Sequence, residues 1–139
     1  MDAQRLSNVI WQGITKKVYS DRIDLFIPFF FTGCSDAPLC LTWDRKGVLS
    51  DGGRTLSELE GRVGNIQPYL HQIRSILARC GDCKLIGGRV IVKDHFQTVM
   101  SGEKQYQDYL GGMNHMLMAI TQISIIDQIR VLDDGRVIA

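Results

Sequence analysis

The long apolar pattern in the last third of the chain constrains the fold more than any other feature. Between residues 103 and 130, apolar side chains recur at steps of three and four, which predicts a helix of about eight turns. Gly111 and Gly112 fall inside this pattern, and glycines lower helix stability by about 1 kcal/mol each, so a kink or a division is expected there. The predicted helix is apolar around more than one face, so it has to be buried on several sides.

A small domain with one modest sheet covers one face of such a helix and leaves the remainder exposed. Large exposed apolar patches usually mark association sites, and methionines favour adaptable binding surfaces. We therefore predict a homodimer, or docking on another protein, through this helix. The alternative is that the helix crosses the sheet centrally and belongs to the core. The predicted interface residues are Met113, Met116, Leu117, Ile120, Ile123 and Ile126.

The first part of the chain has the pattern of a helix followed by a sheet. Apolar residues at helical spacing over residues 2–17 predict an N-terminal helix. Three β-branched and aromatic runs, at residues 23–31, 39–43 and 48–49, are separated by turn residues and predict an antiparallel meander. Pro28 cannot donate to a strand ladder, so it should lie at an edge, a bulge or the end of its strand.

Two short helices and a hairpin are predicted next. Thr55 and Glu58 form a capping-box pattern that opens the first helix. Pro68 suits the first position of the second helix, and Gly81 suits its C-terminal end. Strand-like residues on both sides of Gly87-Gly88 predict a two-residue hairpin.

These elements together predict one α+β domain over residues 1–139. We expect an N-terminal helix, an antiparallel sheet of about five short strands, two short helices and the long C-terminal helix. Residues 1–95 would form the helix and sheet core, and residues 96–139 the long helical segment and a short tail. Residues 132–137 predict a small hairpin or an irregular end.

Charge and hydropathy exclude several kinds of partner. Sixteen basic and fifteen acidic residues leave a formal charge of +1, so no large field is available to hold a phosphate backbone. The basic residues are scattered, with Lys16-Lys17 and Arg45-Lys46 as the only adjacent pairs. We therefore do not expect nucleic acid as a partner. Without a secretory signal or an apolar run long enough to span a bilayer, we expect a cytoplasmic protein that does not bind membranes.

The glycine turn before the first short helix is the candidate ligand site. A glycine-rich turn at a helix N-terminus presents backbone N–H groups, and such ends bind anions. The alternative is structural: the glycines allow a tight turn, Asp51 or Thr55 caps the helix, and Arg54 is solvated. The predicted ligand-binding residues are Asp51, Gly52, Gly53, Arg54 and Thr55.

The four cysteines are weak metal candidates. Cys80 and Cys83 form a CxxC pair, and Cys34 with Cys40 would complete four thiolates for zinc. Cys34 and Cys40 are separated by five residues, however, which is wider than the usual spacing. A position at a helix C-terminus does not lower a thiol pKa as a helix N-terminus does. We therefore expect reduced, buried or half-buried thiols and no cofactor, with zinc as the alternative.

Catalytic patterns are sparse. Asp24, Asp44 and Lys46 are vaguely similar to the carboxylates and lysine that hold magnesium in restriction-type nucleases, although residues 44–47 also form an ordinary polar turn. The isolated histidines and the absence of a Ser/His/Asp or Cys/His signature leave acid–base catalysis without support. We therefore predict that the protein is not an enzyme.

The strand-end motif LSDGGRTL at residues 49–56 is the most specific part of a family resemblance. With the aromatic-proline segment at residues 26–29 and the strand at residues 39–43, it resembles the bacterial and phage family known as domain of unknown function 1828. The resemblance covers residues 23–93 and implies a bacterial or prophage protein. It brings no established activity with it.

The resulting functional hypothesis is a non-enzymatic accessory protein that acts by protein–protein interaction. If the resemblance places it on mobile DNA, inhibition of a host defence system is the expected task, by blocking a nuclease complex or sequestering a signal nucleotide. Two alternatives stay open. One is a protein that binds and sequesters a phosphate or nucleotide ligand, and the other is a metal-dependent nuclease.

Overall fold

Six strands form one antiparallel sheet in the computed structural model, which describes residues 13–31, 37–81, 83–93 and 110–138. The order across the sheet is β1-β2-β3-β4-β6-β5, so the β5–β6 hairpin places its second strand beside β4. The strands are β1 (Thr15–Val18), β2 (Arg22–Ile27), β3 (Leu39–Asp44), β4 (Val48–Ser50), β5 (Lys84–Ile86) and β6 (Arg89–Lys93).

Side chains alternate between the two faces of this sheet, as a strand period of two requires. On β2, for example, Ile23, Leu25 and Ile27 are buried on the inner face, and Leu39 and Leu41 pair with two of them from β3. Most described residues on the opposite face of the four central strands are half-buried, and we call these half-buried residues the outer sheet face. They are Arg22, Asp24, Phe26, Cys40, Thr42, Asp44, Val48, Ser50 and Ile91.

Three α-helices contribute to the core on the inner face of the sheet. They are α1 (Arg54–Val63), α2 (Leu70–Arg79) and α3 (Leu110–Ser124), and α3 contacts α1, α2 and β6. A 3-10 turn at Gln67–Tyr69, with Pro68 in its first positions, leads into α2. Gly81 adopts a left-handed φ of 68° just after α2 ends. The predicted stop of this helix is therefore confirmed, whereas Pro68 opens the preceding 3-10 turn and α2 itself begins two residues later.

The predicted α+β class is confirmed, and each of the five predicted strands is present. The first of them, β2, ends at Ile27, directly before Pro28, because proline has no N–H to continue the ladder. The sixth strand, β1, lies where the sequence predicts the last turn of the N-terminal helix. Residues 2–12 of that predicted helix lie outside the described residues.

The helical prediction for residues 15–17 is wrong for a tertiary reason. Thr15–Val18 pairs in register with β2, which satisfies the backbone of an otherwise unpaired edge. The register also sets Lys17 opposite Asp24, an opposite-charge pair that stabilises a sheet. The helical periodicity of the preceding residues contains no information about this pairing with β2.

The long helix ends six residues before the predicted position. The Thr121 hydroxyl donates to the Leu117 carbonyl oxygen at 2.6 Å, and the Ser124 hydroxyl donates to the Thr121 carbonyl oxygen at 2.8 Å. Such side-chain bonds compete with the helical ladder. A 3-10 turn at Ile126–Gln128 follows. Both Gly111 and Gly112 lie within α3, so the helix is not divided there, and residues 103–109 lie outside the described residues.

The C-terminus forms the predicted small hairpin. Its strands are β7 (Arg130–Val131) and β8 (Val137–Ile138), which pair antiparallel. The hairpin turn rests on α2: Gly135 is buried against the Ser75 backbone, and the Ser75 hydroxyl donates to the Asp133 carbonyl oxygen at 3.3 Å. In the described part of the chain, no helix is both long and apolar enough to cross a membrane.

Candidate functional site

The junction between β4 and α1 contains the glycine turn that the sequence marks as a ligand site. Gly52 and Gly53 have φ angles of 66° and 83°, a left-handed conformation that residues with a side chain rarely adopt. The Gly52 N–H donates to the Ser50 hydroxyl at 3.0 Å. Gly53 is the N-cap, and α1 begins at Arg54. The two glycines therefore turn the chain from the strand into the helix.

The backbone N–H groups that would bind an anion are already bonded within the chain. The N–H groups of Gly53 and Thr55 donate to the two carboxylate oxygens of Asp51, at 2.8 and 3.2 Å. The Arg54 N–H donates to the Asp51 carbonyl oxygen at 3.2 Å. With the Gly52 N–H also bonded, the Asp51 carboxylate occupies the place that an external anion would take at this helix end.

Asp51 also ties the junction to β6. Its Oδ1 accepts the Val90 N–H at 2.9 Å, and its own N–H donates to the Val90 carbonyl oxygen at 3.1 Å. Asp51 is only 3% exposed, so these bonds are shielded from water. The motif that carries the family resemblance therefore has a structural role in this chain, because it joins a strand, a helix and a neighbouring strand.

The Arg54 side chain is partly buried, and its donors are bonded within the chain instead of being available to an anion. Its Nε donates to Glu58 at 2.6 Å, and its terminal nitrogens donate to the carbonyl oxygens of Ala37 at 2.9 Å and Pro38 at 3.3 Å. The guanidinium also lies over the Phe31 ring, 5.2 Å from its centroid. The side chain fastens the segment before β3 to the first turn of α1.

The predicted capping box is wrong. Thr55 lies in the first turn of α1 and not at the N-cap, and it is fully buried. Its N–H is bonded to Asp51, and Glu58 forms an ion pair with Arg54. Asp51, four residues before Thr55, reaches the helix start because Gly52 and Gly53 bend the chain back in a left-handed conformation. The capping-box pattern takes no account of such a bend.

The three residues of the nuclease alternative take part in local bonds. Asp24 accepts the Thr42 hydroxyl at 3.2 Å and the Arg22 Nε at 3.3 Å. Asp44 Oδ1 accepts the N–H groups of Lys46 and Val48, at 2.9 and 3.0 Å, which is the bonding of a capped turn. In the described ranges, no three His, Cys, Asp or Glu residues are placed to hold a metal ion.

The cysteines that the structure describes lie in two different environments. Cys80 and Cys83 are buried in the core after α2, whereas Cys40 is half-buried on the outer sheet face. Burial raises the pKa of the Cys80 thiol, and burial together with the Asp24 charge raises the pKa of Cys40. Raised pKa values favour the neutral thiol over the thiolate that binds zinc. Cys34 lies outside the described residues.

The predicted interface on the long helix needs a correction. Met113, Met116, Leu117, Ile120, Ile123 and Ile126 are at most 5% exposed in the single chain. They pack in one core with the inner sheet face, α1 and α2. The helix is covered on several sides because these two helices lie beside the sheet. Its apolar surface is therefore explained by the core, which was the alternative interpretation.

The outer sheet face is the surface that the sequence interpretation missed. A row of side chains crosses it in register, from Lys17 through Asp24, Thr42 and Ser50 to Ile91. The signal was available in β2 and β3, where buried apolar residues alternate with residues that are mostly polar or small, with Phe26 as the exception. Such alternation is typical of an antiparallel sheet with one face toward solvent.

Comparisons with known proteins add no relative to this picture. No protein-family model, no curated protein and no solved structure matches the chain. The resemblance to domain of unknown function 1828 therefore stays a prediction from the motif.

Proposed function

We propose that the protein is a non-enzymatic binding protein that docks on another protein through its outer sheet face. The observation that carries the proposal is the composition of this face. It combines the half-exposed apolar side chains of Phe26, Val48 and Ile91 with the hydroxyls of Thr42 and Ser50. Protein interfaces combine apolar contact with a polar surround in this way.

The two alternative functions receive less support from the geometry. A phosphate ligand at residues 51–55 would have to displace the Asp51 carboxylate from the helix end. A nuclease would have to free Asp44 from the turn that it caps. We therefore expect no rise in melting temperature with nucleotides and no cleavage of DNA or RNA with magnesium or manganese.

The family resemblance supplies a context for the proposed partner. It implies a bacterial or prophage protein, and in that setting we propose a component of a host defence system as the partner. A small protein that inhibits a nuclease complex by covering part of its surface needs no catalytic activity.

The proposed surface is tested by matched truncations. Tagged protein is used to capture partners from a bacterial lysate, with Phe26→Ala and Ile91→Ala as surface variants and Met118→Ala as the control. Met118 is 42% exposed on α3, away from the sheet face. We expect a captured protein to be lost with the two surface variants and retained with the control, while circular dichroism shows all variants folded. Capture that survives both surface truncations contradicts the proposal.

A further inference from the structure

We draw no further inference here: the strongest candidate, the β5 edge of the sheet with the exposed side chain of Ile86, carries none, because nothing in the described part of the structure shows what covers it.

Discussion

At the scale of single residues, Asp51 does most to connect the fold. One carboxylate accepts N–H groups from the turn, from the first turn of α1 and from β6. A short acidic residue before two glycines is the only local sign of this arrangement in the sequence. The sequence located the right residue, but it could not predict the bond to Val90, which is 39 positions away.

Replacing Asp51 tests this role. Asp51→Ala leaves the N–H groups of Gly53, Thr55 and Val90 without their acceptor, and we expect a loss of about 2–4 kcal/mol in the free energy of unfolding. Ser50→Ala is the control, because it removes only one bond to the exposed Gly52 and should cost less than about 1 kcal/mol. Urea denaturation measures both, and similar losses for the two variants would contradict the role of Asp51.

The thiol of Cys40 gives a second test at this scale. Burial and the negative charge of Asp24 raise its pKa, so at neutral pH it should react with iodoacetamide more slowly than an exposed thiol. The rate should rise as the pH rises toward the pKa, because the thiolate is the nucleophile. Asp24→Asn removes the charge and should speed the reaction at fixed pH, whereas Asp21→Asn should not. Peptide mapping reads the rate at Cys40, and an unchanged rate in Asp24→Asn would refute the electrostatic effect.

At the scale of elements, the terminal hairpin and α3 show how packing decides what a segment does. The hairpin is predictable from its turn residues, but its place on α2 depends on a glycine that touches a helix backbone. The apolar pattern of α3 is predictable too, but the pattern alone allows either a core helix or a binding surface.

Gly135 and Gly64 provide a matched pair for the hairpin contact. Their φ angles are 84° and 86°, in the range that favours glycine, so alanine is strained at both positions. A Cβ at Gly135 would overlap the Ser75 carbonyl oxygen, whereas at Gly64 it would meet nothing within 4 Å. We expect Gly135→Ala to lower the free energy of unfolding by about 1–3 kcal/mol more than Gly64→Ala. Equal losses in chemical denaturation would mean that the hairpin does not rest on α2.

The core position of α3 makes an equally direct prediction. Ile120 is fully buried, and Met118 on the same helix is 42% exposed. Ile120→Ala should cost about 2–5 kcal/mol through the cavity that it creates, and Met118→Ala less than about 1 kcal/mol. Thermal unfolding with size-exclusion chromatography tests this. A folded Ile120→Ala variant that changes only from dimer to monomer would restore the interface that the sequence predicts.

At the scale of the whole molecule, burial differs between the centre of the sheet and its β1 edge. β2 and β3 pair along six residues each and bury aliphatic side chains on the inner sheet face, whereas the four residues of β1 are all exposed. Stability is therefore expected to be uneven across the sheet, with the edge that carries Lys16 and Lys17 opening most readily.

Native-state hydrogen exchange tests this gradient. The bonded amides of β3 should exchange only through global unfolding, and those of β1 should exchange orders of magnitude faster through local opening. Low concentrations of urea should raise the β3 exchange rates, because global unfolding exposes a large surface, and should leave the β1 rates nearly unchanged. Equal protection of β1 and β3 would show that the edge is held as firmly as the centre.

The sequence by itself determined the features that depend on neighbouring residues. Pro68 opens the 3-10 turn that leads into α2, Gly81 follows the end of α2, and Gly87-Gly88 forms a hairpin turn. Local sterics and backbone bonding decide these elements and also make strands of the β-branched runs. The class of fold followed from them.

Only the tertiary structure decided the features that depend on distant contacts. Pairing with β2 converted a predicted helical turn into β1, and α1 and α2 covered the apolar sides of α3. The same pairing order brought the β1–β2 turn and the β3–β4 turn to one end of the sheet and left the Asp51 carboxylate facing Val90. Strand order and helix packing arise from the balance of burial and hydrogen bonding over the whole chain, which no local pattern contains.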